Sequence, residues 1–254
     1  MSTPLTLHTF SISHFSEKAR WLLDASGIDY VEKPWVPFFH IVSALRLGGR
    51  KKTTVPILLT ETGAVQDSTR ILLWLEKHRA PFALMPSDPT LREQVLAVED
   101  RFDRIGAHVI RYAYRDALDD REGIKTVWTL DASPLQKRIV NVAFPLMRAA
   151  FSRMLQSSNP KAVASSERKI LEGMDWIAQR TAEGHRYLVG NTLTAADITA
   201  AALLSPLACP DEHAVYSRPD FQNGVTALKA RHANHPAMIW VRQLYREHRQ
   251  SQRG

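Results

Sequence analysis

Hydrophobic positions change their period about one third of the way along the chain. Before that point strand and helix patterns alternate. Leu5–Phe10 reads as a short strand, and Glu17–Ala25 carries Ala19, Trp21, Leu22 and Leu23 at helical spacing before Gly27 stops it. Ile28–Trp35 suits a second strand and His40–Leu47 a weaker helix. "TVPILLT" (Thr54–Thr60) is a continuous apolar strand, "AVQD" a short one after a turn, and Ser68–His78 a helix with Ile71, Leu72 and Leu75 on one side. The order βαβαββα predicts a small α/β domain over 1–80. A proline-rich linker covers 81–90, within "RAPFALMPSDP". From 91 to 254 only helical periodicity remains. It runs over Leu91–Leu118, Pro134–Leu155, Ala162–Ala182, Ala195–Leu207, Arg218–Ala230 and Pro236–His248, with a polar connection over Asp119–Pro134. The prediction is two domains, α/β and then all-α.

Composition changes this little. Of 254 residues, 44% are hydrophobic and 23% charged, as in a globular protein. No apolar run is long enough for a membrane span, the N-terminus lacks the pattern of a secretory signal, and the lone Cys209 excludes an intrachain disulfide and cysteine-paired zinc. A cytoplasmic protein without metal or membrane partner is expected. The net charge of +7 raises nucleic-acid binding, but from Thr226 onward six basic residues face only Glu247. A +5 segment with just Trp240 and Tyr245 beside it reads as a solvated basic helix end rather than a single-strand platform. No nucleic-acid partner is expected.

Two local features point to a ligand. Val55-Pro56 heads an apolar strand, where proline cannot donate to the ladder. Either the strand is an edge there with a trans bond, or the bond is cis and the Val55 N–H and C=O face an extended peptide. Eleven residues on, Ser68 reads as the N-cap of its helix. The same N-terminus can take a carboxylate and Asp67 an ammonium group, which together match an amino-acid head.

"SISHFSEKAR", "TTVP" and "QDSTRILLWLE", at these spacings, resemble the thioredoxin-like N-terminal domain of glutathione transferases. "YLVGNTLTAADITAAALL" is similar to the C-terminal signature of that family, with Thr194–Asp197 as a helix capping box, and the short "YREHR" is similar to bacterial members. The resemblance implies a catalytic role for Ser13, with Ser11 as fallback and Ser16 as a capping residue. "SHFS" replaces both cysteines of the redox relatives, so the thiol to be activated is that of bound glutathione. Thr54, Val55, Pro56, Asp67 and Ser68 are implied to hold the tripeptide. His40 is implied to reach its glycine carboxylate, with Lys52 competing for that role. His14 and Arg20 are expected on the surface of the first helix, Arg20 paired with local carboxylates. Phe10, Trp35 and Tyr112 are expected to line a second-substrate pocket, with Tyr114 as the alternative to Tyr112, since the two point to different sides of a helix. The implied activity is a dimeric glutathione transferase acting on a small hydrophobic electrophile. A glutathione-dependent isomerase and a non-catalytic scaffold are the alternatives.

Overall fold

The computed structural model describes residues 4–48, 52–79, 81–219, 226 and 229–249. Four short strands, β1 (Leu5–Thr9), β2 (Tyr30–Pro34), β3 (Ile57–Thr60) and β4 (Gly63–Gln66), form one sheet in the order β2-β1-β3-β4. β1 runs parallel to β2 and antiparallel to β3, and β3 is antiparallel to β4. Helices α1 (His14–Ala25) and α3 (Ser68–His78) pack on each other, while α2 (Ile41–Gly48) contacts β3 and β4. The thioredoxin-like expectation is met.

The boundaries moved for local reasons. Helix α1 begins at His14, before the expected Glu17, because Ser13 in an extended conformation accepts the N–H of Ser16 and caps it. Strand β3 begins at Ile57, since the imide nitrogen of Pro56 has no hydrogen to donate.

The second part is helical: α4 (Pro89–Ala117), α5 (Arg121–Trp128), α6 (Pro134–Leu155), α7 (Pro160–Ala182), α8 (Ala195–Ala208) and α9 (Pro236–His248). Helix α5 lies inside the connection expected to be irregular. Asp120 caps it, and Ile124, Val127 and Trp128 recur at helical spacing within the polar run. The helix expected over Arg218–Ala230 lies largely outside the described residues. Among the described residues no helix is long and apolar enough to cross a membrane.

Helix α8 is the axis of the fold. Thirteen of its fourteen residues are buried, which explains its uniformly apolar pattern, and it packs on α1, α4 and α9. One apolar cluster therefore runs from Leu7, Leu22 and Leu72 through Val95 and Phe102 to Leu204 and Leu244. At the head of α8, Asp197 accepts from the N–H of Leu188 (2.7 Å), the N–H of Thr194 (2.8 Å) and the Thr194 hydroxyl (2.9 Å). Burial pushes its carboxyl up to about 6 against those bonds. Asp197→Ala strands two buried N–H groups, so a loss of about 3 kcal/mol is expected. That corresponds to a fall in Tm of roughly 6–12 °C in a chain of this size. Thermal unfolding checks it, and a loss below about 1 kcal/mol would show that water replaces the carboxylate.

Candidate functional site

Strand register gathers the separated motifs at one end of the sheet. His8 of β1 pairs with Ile57 of β3, and Ile57 pairs with Gln66 of β4. The chain leaving β1 toward Ser13, the chain entering β3 through Val55-Pro56, and the chain leaving β4 into Asp67-Ser68 are therefore neighbours. The Asp67 N–H donates to the Pro56 carbonyl at 3.0 Å, and Trp35 closes the group by donating its N–H to Thr9 at 2.8 Å.

The three serines have different fates. Ser11 donates its only hydroxyl proton to Asp131 at 2.6 Å. Ser16 is fully buried and its oxygen accepts from the Phe10 N–H at 3.3 Å. Ser13 is half-buried, and its oxygen accepts from Ser16, but among the described residues its own proton has no acceptor. Ser13 is thus the cap and, of the three, the one that is partly exposed with its proton uncommitted, since Ser16 is fully buried.

The Val55-Pro56 bond is cis, and among the described residues neither the N–H nor the carbonyl of Val55 has a partner. Gln66 fixes this loop by donating Nε2 to the carbonyls of Thr54 (2.7 Å) and Lys52 (3.1 Å). Sequence reasoning passed over Gln66, which only its place beside Asp67 could have flagged. The cap of α3 is Asp67 rather than Ser68. Its Oδ1 accepts from the N–H groups of Thr69 (3.0 Å) and Arg70 (3.3 Å). Asp67 holds φ +100°, a conformation that L side chains adopt at a cost and that gathers at ligand sites. With Thr69 and Arg70 engaged, the donors left for an anion at this helix start are those of Ser68. His40 donates Nε2 to the Thr53 carbonyl at 2.9 Å, and burial lowers its pKa. It braces the loop as a neutral ring with no proton left for a carboxylate, whereas Lys52 is exposed.

Behind Ser13 the face of α1 is buried and charged. His14 and Arg20, expected on the surface, are enclosed instead. His14 meets the Gly106 carbonyl of α4 at 2.9 Å, and burial lowers its pKa to about 4, so it donates as a neutral ring. Arg20 does pair with local carboxylates, Glu32 at 2.7 Å and Glu17 at 3.2 Å, and its third contact holds the Phe10 carbonyl at 3.0 Å. That same carbonyl accepts the Ser13 N–H at 3.0 Å, so Arg20 positions the serine loop. Lys18, completely enclosed, pairs with Glu99 and Asp103 of α4 and touches the Thr69 hydroxyl.

The aromatic expectations divide. Phe10 and Trp35 are half-buried at the site, Phe10 edge-on to His40 (4.6 Å) and Trp35 stacked on His8 (4.3 Å). Tyr112 does not line the candidate site. It is fully buried in the main core, with its hydroxyl on Glu167 at 3.2 Å and Arg231 at 3.1 Å. Two positions on, Tyr114 faces the other way, into a second cluster with Ile12, Phe38, Trp128 and Phe151 beside the serine loop.

Two family models match the chain, "Glutathione S-transferase, N-terminal domain" over residues 7–82 and "Glutathione S-transferase, C-terminal domain" over residues 137–236. The chain belongs to the glutathione S-transferase family. A glutathione S-transferase of Pseudomonas putida is 33% identical over 87 residues, which are 34% of this chain and 37% of that relative. The chain therefore matches little more than a third of that relative's length. Among solved structures, the β-etherase LigF of a Sphingobium species superposes with a TM-score of 0.61 at 20% identity, covering 95% of this chain and 99% of that one. A glutathione S-transferase of Methylobacterium radiotolerans in complex with glutathione sulfonate gives 0.58 at 20% identity, with 93% of each chain covered.

In this family member the buried histidines make stability depend on pH. His14 and His213 sit near 4 in the folded chain, each because of burial, against 6.5 when unfolded. Their contribution is complete above about pH 6.5 and is lost as pH falls toward 4. Asp197, raised to about 6, works in the opposite sense below that value. These three groups leave a net uptake of about one proton on unfolding, a slope of about 1.4 kcal/mol per pH unit. Urea midpoints across that range should fall with pH, and His14→Gln should flatten the slope by about one proton. An unchanged slope in the variant would mean His14 is already charged when folded.

Proposed function

We propose that the chain binds glutathione and directs its thiolate to an electrophilic carbon. The observation that supports this reading is the register of β1, β3 and β4, which makes neighbours of the chain segments that carry Ser13, Val55 and Asp67-Ser68. Val55 pairs by N–H and C=O with the cysteinyl backbone, a short β-augmentation beside Thr54 and Pro56. Asp67 keeps one carboxylate oxygen for the γ-glutamyl ammonium, and Ser68 donates to the neighbouring carboxylate. Lys52, rather than His40, takes the glycine carboxylate.

Ser13 then donates to the sulfur. A free thiol with a pKa near 8.5 is a few per cent thiolate at neutral pH, and lowering that value by about two units requires roughly 2.7 kcal/mol. A hydroxyl donor at the start of a twelve-residue helix provides part through its hydrogen bond and part through the helix dipole. The thiol proton leaves to water, and the thiolate forms a carbon–sulfur bond. The electrons displaced at carbon leave with a departing group or take up a proton. The aromatic wall of Phe38, Tyr114 and Phe151 beside Ile12 suits an apolar electrophile.

Ser13→Ala should leave glutathione affinity within about threefold in calorimetric titration. It should raise the bound thiol pKa, read by thiolate absorbance, by about one to two units. The lost cap costs about 1 kcal/mol of stability, so melting is recorded alongside. No saturable binding of glutathione to the unsubstituted chain would overturn the reading. An unchanged thiol pKa would move the donor role to backbone N–H groups.

A further inference from the structure

The outer face of α6 is apolar and exposed along its length. Val142 is 85% exposed, Leu146 75%, Leu135 67% and Ile139 42%. These are the protruding positions opposite Val140, Phe144 and Met147, which pack inward against Trp128. Leu135, Ile139, Val142 and Leu146 recur at spacings of four, three and four, one stripe of a helix about 33 Å long. A reciprocal Ser133–Gln136 capping box starts the helix, so the stripe belongs to a well-formed element.

The charge on this helix selects what covers the stripe. Its 22 residues include Lys137, Arg138, Arg148 and Arg153 and no acidic residue. Arg148 is engaged by Asp119 and the Leu118 carbonyl. Among the described residues Lys137, Arg138 and Arg153 have no ion-pair partner, and Arg138 and Arg153 are exposed on the same side as the stripe. A second copy would bring two all-basic helices face to face. The face is a row of exposed aliphatic side chains with basic neighbours. That form matches a soft, negatively charged plane, as in helices that lie in a bilayer interface.

We propose that α6 docks the protein on an anionic phospholipid surface, with Leu135, Ile139, Val142 and Leu146 entering the acyl boundary and Arg138 and Arg153 meeting the headgroup phosphates. The inner side of the same helix carries the cluster around Trp128 and Tyr114, so docking brings the apolar wall of the cleft close to the lipid. The docking itself does not depend on the glutathione reading.

The test is co-sedimentation of the full chain with phosphatidylcholine vesicles and with mixed phosphatidylcholine–phosphatidylglycerol vesicles. Expected is binding to the mixed vesicles at least about tenfold tighter than to phosphatidylcholine alone, weakened by salt. The double variant Val142→Gln/Leu146→Gln, which leaves the charge unchanged, should lose at least about tenfold of that binding with its melting curve unaltered. The conservative Val142→Leu should retain it. Equal binding by the glutamine variant would mean adsorption by net charge alone and would overturn the proposal, as would no binding to mixed vesicles. Loss of an oligomer in the glutamine variant, seen by light scattering without vesicle binding, would assign the face to a second copy and overturn it equally.

Discussion

The enclosure of Lys18 is the constraint on which the arrangement of the two parts depends. An ammonium group without solvent exposure is tolerable only when its charge is matched. Here the matching groups, Glu99 and Asp103, come from the long helix α4, while Lys18 itself comes from α1. Thr69, at the start of α3, donates to Glu99 at 2.6 Å and joins the third element to the same point. Sliding α1 along α4 by one turn would separate a buried cation from both carboxylates. Such a displacement costs far more than the packing it disturbs, because a buried charge left alone costs several kcal/mol. The relative position of Ser13, five residues before Lys18, is set by this requirement.

A second ionic node acts from the far end of the chain. Arg249, the last arginine of "YREHR", places its guanidinium on Glu17 and Asp24, each at 2.7 Å. Burial pushes the Glu17 carboxyl up, but Arg249, His213 and Arg20 outweigh it and hold it at about 2. Tyr245 in the same motif packs on Trp21 with ring centroids 4.5 Å apart. The basic C-terminal segment is therefore divided in function. Part of its charge neutralises α1 from behind instead of being solvated, so the +5 counted over that segment does not form one solvated patch.

The fold was legible in the sequence because its signals are local: alternation in the strands, apolar stripes in the helices, and the Thr194–Asp197 pair at the head of α8. Of the candidate site, the backbone features at Val55-Pro56 and Asp67-Ser68 were legible, where proline and small polar residues constrain the chain by themselves. What stayed hidden depended on direction or partnership. Lys18 drew no role from the sequence and Arg20 read as a surface residue, since nothing near them announces that α4, with Glu99 81 residues from Lys18, closes over this helix. Tyr112 and Tyr114 differ by two positions and about 200° around α4, so only the packing of that helix decides which of them meets the cleft. Helix α5 was concealed by its polar flanks, although its three apolar residues build the wall on which Phe38 rests.

Capping and catalysis are often treated as competing explanations for a serine at a helix start, yet in the role proposed for Ser13 they use different parts of one group. The Ser13 oxygen accepts the Ser16 N–H through a lone pair, and this bond fixes the side-chain rotamer. The hydroxyl proton then has one remaining freedom, rotation about the Cβ–Oγ bond. The cap thus provides the pre-organisation that a thiolate donor needs, and the polarisation caused by accepting one bond strengthens the bond donated. Ser11 shows the opposite case two residues earlier. Its proton is committed to Asp131, so it ties the loop to the helical part and offers nothing to a sulfur. Ser13 caps α1, and the donor role proposed for it uses the part of the group that capping leaves free.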